Sequence, residues 1–113
     1  MKAAHVFAGL PVADYGAARA WYEAFFGRPP DLLPHDNEAA WQLSGEGWVY
    51  VVGDRERAGG GLLTLLVDDL DARLESLAAE GIATGPIKTL PGGVRTVVVA
   101  DPDGNQIQLG QVP

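Results

Sequence analysis

The sequence repeats itself, and the repeat limits the fold more than any motif does. A β-rich apolar run, Val6 to Val12, leads to Asp14 and then to Ala18, Trp21, Tyr22 and Phe25, stopping at Gly27. A second run, Leu62 to Val67, leads to Asp69, then Leu70, Leu74, Leu77 and Ala78, stopping at Gly81. Val67 follows Val12 by 55 residues, Asp69 follows Asp14 by 55, and Gly81 follows Gly27 by 54. Within the first stripe the offsets from Ala18 put the apolar residues on one helix face. Each Asp stands where an N-cap carboxylate accepts from free helix N–H groups. Each Gly suits the left-handed position that ends a helix.

Three short strand candidates follow each helix. In the first half they are Asp31–His35, Glu38–Leu43 and Trp48–Val52; in the second, Pro86–Leu90, Val94–Ala100 and Gln106–Leu109. Turn-rich Ser44–Gly47 and Asp101–Asn105 join the last two strands of each set. The reading is β-α-β-β-β twice, an α+β fold with modules at 4–58 and 59–113 of one domain, 1–113. A module of ~55 residues buries too little surface to stand alone. The two therefore pack together, with curved mixed sheets around a cup and helices outside. Gly59-Gly60-Gly61 reads as a flexible joint, since a strand rather than a helix follows it.

Composition removes whole function classes. Eight basic against fifteen acidic residues leave a net charge of −7, so the basic stripe needed for nucleic acid or an anionic membrane is missing. With no cysteine there is no thiolate nucleophile, disulfide or Cys-based zinc site. No apolar run approaches the ~18 residues of a membrane span. The residues after Lys2 fit the first strand better than a secretory leader, and a cytoplasmic location is expected. Only Ser44 and Ser76 could serve as a serine nucleophile, and neither lies in a Gly-x-Ser-x-Gly elbow.

The stretches Val12-Ala13-Asp14, Ala17-Ala18-Arg19-Ala20-Trp21-Tyr22-Glu23 and Phe26-Gly27 resemble the first half of a vicinal oxygen chelate protein. Val67-Asp68-Asp69-Leu70-Asp71 resembles the start of the second half, and Asp101-Pro102-Asp103-Gly104-Asn105 the hairpin before its last strand. This glyoxalase/bleomycin resistance protein/dioxygenase family builds paired βαβββ modules, with a dimer often completing or bordering the cavity. Most of its enzymes hold a divalent metal by His, Glu or Gln. The resemblance places two ligand positions at Phe7 and Leu62, a third at Gln108 and a fourth around Val49-Tyr50-Val51. Phe7 and Leu62 cannot donate to a metal, and one amide does not make a site. His5 lies two residues before Phe7, about 6.6 Å along a strand, too far to substitute for it. His35 reads as a surface histidine, and Glu38 and Glu46 as solvated.

The expected cup is therefore apolar and aromatic. Alternation along the strands points Phe7, Leu62, Thr64 and Gln108 inward, with Tyr50, Trp41 and Trp48 as further candidates for its wall. Trp41 and Trp48 suit a dimer contact equally well. Such a wall, with few polar groups, suits a small organic molecule, and no cofactor is expected. The resemblance then implies a metal-independent binding protein of the bleomycin-resistance type, sequestering a drug or aromatic metabolite. The rivals are a metal-dependent lyase, isomerase or dioxygenase with displaced ligands, and a metal-free enzyme with one tuned acid or base. A homodimer is expected, because two thin modules leave apolar faces uncovered.

Overall fold

The computed structural model describes all 113 residues. In chain order the elements are β1 (Val6–Val12), α1 (Tyr15–Phe26), β2 (Leu32–His35), β3 (Glu38–Ser44) and β4 (Gly47–Gly53). The second half supplies β5 (Leu62–Leu66), α2 (Leu70–Ala79), β6 (Lys88–Thr89), β7 (Arg95–Ala100) and β8 (Gln106–Gln111). The expected β-α-β-β-β order is present twice. The carboxylates of Asp14 and Asp69 accept from the N–H groups of Ala17 and Ala72, so both helices start on the capping bond read from sequence. Gly27 and Gly81 hold φ of 78° and 73° at the helix ends. β6 is shorter than the expected Pro86–Leu90. Pro86 and Pro91 flank it, and proline has no N–H for a ladder. No helix is long and apolar enough to cross a membrane.

Each half makes a four-stranded mixed sheet, ordered β1-β4-β3-β2 and β5-β8-β7-β6. The first and last strands of each module run parallel, and the remaining pairs are antiparallel. One side of each sheet carries its helix. From the first sheet Leu10, Val12, Ala39, Trp41, Val49 and Val51 face that way, and from the second Val97, Val99, Ile107 and Leu109. With Tyr22, Phe25, Leu70 and Leu77 of the helices, these side chains form a single buried cluster spanning both modules. Burial at about 25 cal/mol per Å² of apolar surface makes this shared core the main stabilising term.

The sheets do not close on one another within the chain, and the faces opposite the core stay open. Phe7 is 49% exposed, Leu62 82% and Leu66 66%.

A polar junction locks the modules in register. The turn from Asp101 to Asn105 reaches across to the first module. Tyr22 donates its hydroxyl to Asp101 Oδ2 at 2.7 Å, and Asn105 Nδ2 donates to the carbonyl of Pro11 at 2.8 Å. Asp101 Oδ1 accepts from the N–H groups of Asp103 and Asn105, and Asn105 Oδ1 accepts from that of Gly61. The Asp-Pro-Asp-Gly-Asn segment is thus a turn, as expected, and also a buried inter-module contact.

Gly59-Gly60-Gly61 departs from the expected flexible joint. A side chain at Gly59 would strike the carbonyl of Asp103, and one at Gly61 would meet Asn105 and Leu10. Gly59 thus lets two backbones pass closely, and Gly61 makes room for the Asn105 and Leu10 side chains.

Candidate functional site

The open face of the first sheet follows from strand parity. Phe7, Gly9 and Pro11 of β1 sit beside Trp48, Tyr50 and Val52 of β4, and those beside Gln42, Ala40 and Glu38 of β3. Cross-strand partners share a face, so all nine point away from the core. Phe7 and Trp48 stack with ring centroids 5.3 Å apart and planes 18° from parallel. The Tyr50 ring lies across β1 at Gly9, where any Cβ would collide with it. Three aromatic side chains therefore share this face, two of them stacked. The indole N–H of Trp48 is buried without a hydrogen-bond partner, a cost of about 1–3 kcal/mol.

Trp41 does not belong to this face. It pairs with Val49, on the helix-facing side, and is fully buried. Its indole N–H donates to the carbonyl of Arg28 at 3.0 Å, and its ring packs 5.1 Å from Phe26. The expectation that it lines the cup or covers a dimer contact is corrected by register. Trp48 pairs with Gln42, so the two tryptophans point to opposite faces. Sequence reasoning also missed Gln42 and the edge pair of His35 and Glu38. The His35 Nε2 lies 3.2 Å from Glu38 Oε1, and only 21% of the Glu38 side chain is exposed. Glu38 is therefore paired at the rim, not freely solvated. The β2–β3 hairpin brings the two together because His35 and Glu38 are direct cross-strand partners.

On the second sheet Leu62, Thr64 and Leu66 of β5 sit beside Gln106, Gln108 and Gly110 of β8, with Ala100, Val98 and Thr96 of β7 beyond. Thr64 donates its hydroxyl to Gln108 Oε1 at 3.3 Å, which leaves the Gln108 amide N–H groups free to donate outward. The expected site residues thus gather in two groups. Phe7, Trp48 and Tyr50 form one, on the first sheet. Leu62, Thr64 and Gln108 form the other, on the open face of the second. A single chain does not close the two faces into one cup.

The donor set does not fit a divalent metal. At the four positions suggested by the family pattern stand Phe7, Leu62, Gln108 and, facing the same way as Phe7, Tyr50. Two are hydrocarbon, one a neutral amide and one a phenol, whereas such ions are held by carboxylate, imidazole or several oxygen donors. Nowhere do three or more His, Asp or Glu side chains converge.

A cleft lies elsewhere, on the helix-bearing side and along the outer edge of β5. It is open to solvent, with a volume of about 400 Å³ between Phe25, Phe26 and Leu43 of the first module and Leu65, Leu77 and Leu109 of the second. Arg73 and Ser44 are among its few polar neighbours, and it reaches Thr64 alone of the expected site residues.

Comparison with known proteins agrees with this architecture. The model of the glyoxalase/bleomycin resistance protein/dioxygenase superfamily matches residues 2–109. None of the curated protein sequences matches the chain. Among solved structures, a glyoxalase/bleomycin resistance protein from Catenulispora acidiphila is 42% identical, with a TM-score of 0.92, covering 98% of this chain and 100% of that one. An antibiotic binding protein from a Streptomyces species is 27% identical, TM-score 0.80, covering 100% and 99%. A lactoylglutathione lyase from Agrobacterium tumefaciens, 21% identical with a TM-score of 0.80 over 97% and 94%, shares the fold.

Proposed function

The chain belongs to the glyoxalase/bleomycin resistance protein/dioxygenase superfamily, and from that premise we propose that it is a metal-independent binding protein for a small aromatic molecule. One observation carries the reading. The positions where the family pattern would put metal ligands hold instead Phe7, stacked on Trp48, and Tyr50 on one sheet, and Leu62 and Gln108, the latter paired with Thr64, on the other. A planar apolar ligand stacks on Phe7 and Trp48, and Gln108 holds its polar edge. Mostly apolar walls with a few placed polar groups are what such a pocket requires. Enediolate or catecholate chemistry needs a Lewis acid for the developing charge, and these residues do not supply one. Sequestration of a drug or metabolite fits them better. The likeness to an antibiotic binding protein supports the same reading.

The pocket needs a second copy. Phe7, Leu62, Leu66 and Val98 are exposed on the open faces, and a C2 homodimer that sets the first sheet of one chain against the second sheet of its partner covers both. Each cup then takes its aromatic side chains from one chain and its amide from the other.

Native mass spectrometry of the protein from its own host tests the reading, since it detects a co-purifying organic ligand and any metal together. The expected result is a dimer carrying an organic mass. A monomer at micromolar concentration and above, or stoichiometric metal that survives dialysis, would overturn it.

A further inference from the structure

The cleft along β5 lies mainly on the helix-bearing side and meets the open face of the second sheet at Thr64 and Leu66. Leu43, Leu65, Val67 and Leu109 line it from the helix-bearing sides of the two sheets, and Phe25 and Phe26 close it from the end of α1. The lining contains no carboxylate, although the chain has fifteen acidic residues. It does contain one cation, Arg73. Arg19, Arg28, Arg57 and Arg95 are each paired with a carboxylate, whereas Arg55, outside the cleft, and Arg73 are not. Arg73 is in no ion pair and donates only to the hydroxyl of Ser76, at 3.3 Å. Asp69, one turn earlier, is occupied as the cap of α2. An apolar chamber with one unpaired guanidinium is complementary to a molecule that is apolar along its body and anionic at one end.

We propose that this cleft is a second binding site, for a monocarboxylate with an apolar body whose head group pairs with Arg73. The body lies among Phe26, Leu43, Leu65 and Leu77. The planar guanidinium takes the carboxylate in two parallel hydrogen bonds, a geometry that lysine cannot reproduce.

Calorimetry with decanoate below its micelle concentration tests this, with the uncharged 1-decanol as the matched probe. Decanoate is expected to bind the parent protein at one site per chain. Arg73→Gln changes an exposed helix position and should not affect folding. It is expected to weaken decanoate about tenfold and to leave decanol unchanged, because only the charged head is touched. Leu65→Trp fills the chamber and is expected to abolish binding of both probes, with folding checked by its melting curve. If that variant does not fold, Arg73→Gln still decides the matter. Absence of decanoate binding, equal loss of both probes in Arg73→Gln, or loss of decanoate in Phe7→Ala would each overturn the proposal.

Discussion

At the scale of single residues, conformation and titration each give a measurable consequence. Gly27 and Gly81 hold left-handed backbone, and nothing lies within 4 Å of where a Cβ would stand. A side chain there meets no clash, only the intrinsic cost of that conformation, about 1–2 kcal/mol and more for a β-branched residue. Gly27→Val and Gly81→Val should each lower the melting temperature, while Gly27→Asn, which tolerates this region, should lose much less. If both valine variants melt with the parent, the helix-end assignment fails. Tyr22 gives a pH signature. Burial, and then its hydrogen bond to the Asp101 carboxylate, push its phenol far above the usual tyrosine value. The folded state therefore keeps the proton while the unfolded chain releases it. This contribution is complete below the unfolded value of about 10 and is lost as pH rises beyond it. Tyr22→Phe should destabilise the protein at neutral pH by about 1–3 kcal/mol. It should also flatten the fall in stability above pH 10, read from denaturant melts across that range. An unchanged alkaline slope would mean that another group controls it.

At the scale of elements, the repeat was legible because caps and stops are local. Asp14, Asp69, Gly27 and Gly81 announce their roles within a few residues of chain, and the alternation of β1 and β5 points Phe7, Leu62 and Thr64 to one side. Trp41 was not legible in the same way. Its face depends on how β3 pairs with β4, and the ladder shifts between Gln42 and Ser44. A one-residue change in that turn reverses every side chain on the strand, and residue types alone do not reveal it. Glu38 has the same origin, since its pairing with His35 exists only once the β2–β3 register is known. The β5 cleft was hidden for a different reason. It forms where α1, α2 and two sheets meet, and no local pattern encodes an imperfect fit between elements. The two tryptophans separate the roles of the faces. Trp41→Ala should cost about 3–5 kcal/mol as a core cavity. Trp48→Ala, on the open face, should cost clearly less stability and weaken any aromatic ligand instead. Urea melts of the two variants check this, and equal losses would contradict the register.

At the scale of the whole molecule, the shared core dictates what the protein can do alone. The sides of both sheets that carry helices merge into one cluster, and the Tyr22–Asp101 junction fixes the modules there. The faces that would form a cup are therefore held on separate sheets of the same chain. If a C2 dimer unites them, Phe7 and Gln108 of any one pocket come from different chains, and mixing experiments can reveal it. Phe7→Ala homodimers have two pockets without the stacking ring, and each should bind an aromatic ligand roughly tenfold more weakly, counting lost contact area as well as stacking. Gln108→Ala homodimers lose the orienting amide in both pockets. When the two variants are mixed and allowed to exchange, each heterodimer has one pocket with both changes and one with neither. Random exchange then restores native affinity to roughly a quarter of all pockets, half of the dimers having one intact site each. Tryptophan fluorescence titration of the mixture should show that tight fraction, absent from either variant alone. A mixture that titrates as the simple average of its parents would mean that each pocket is built within one chain, and the shared cup would have to be abandoned.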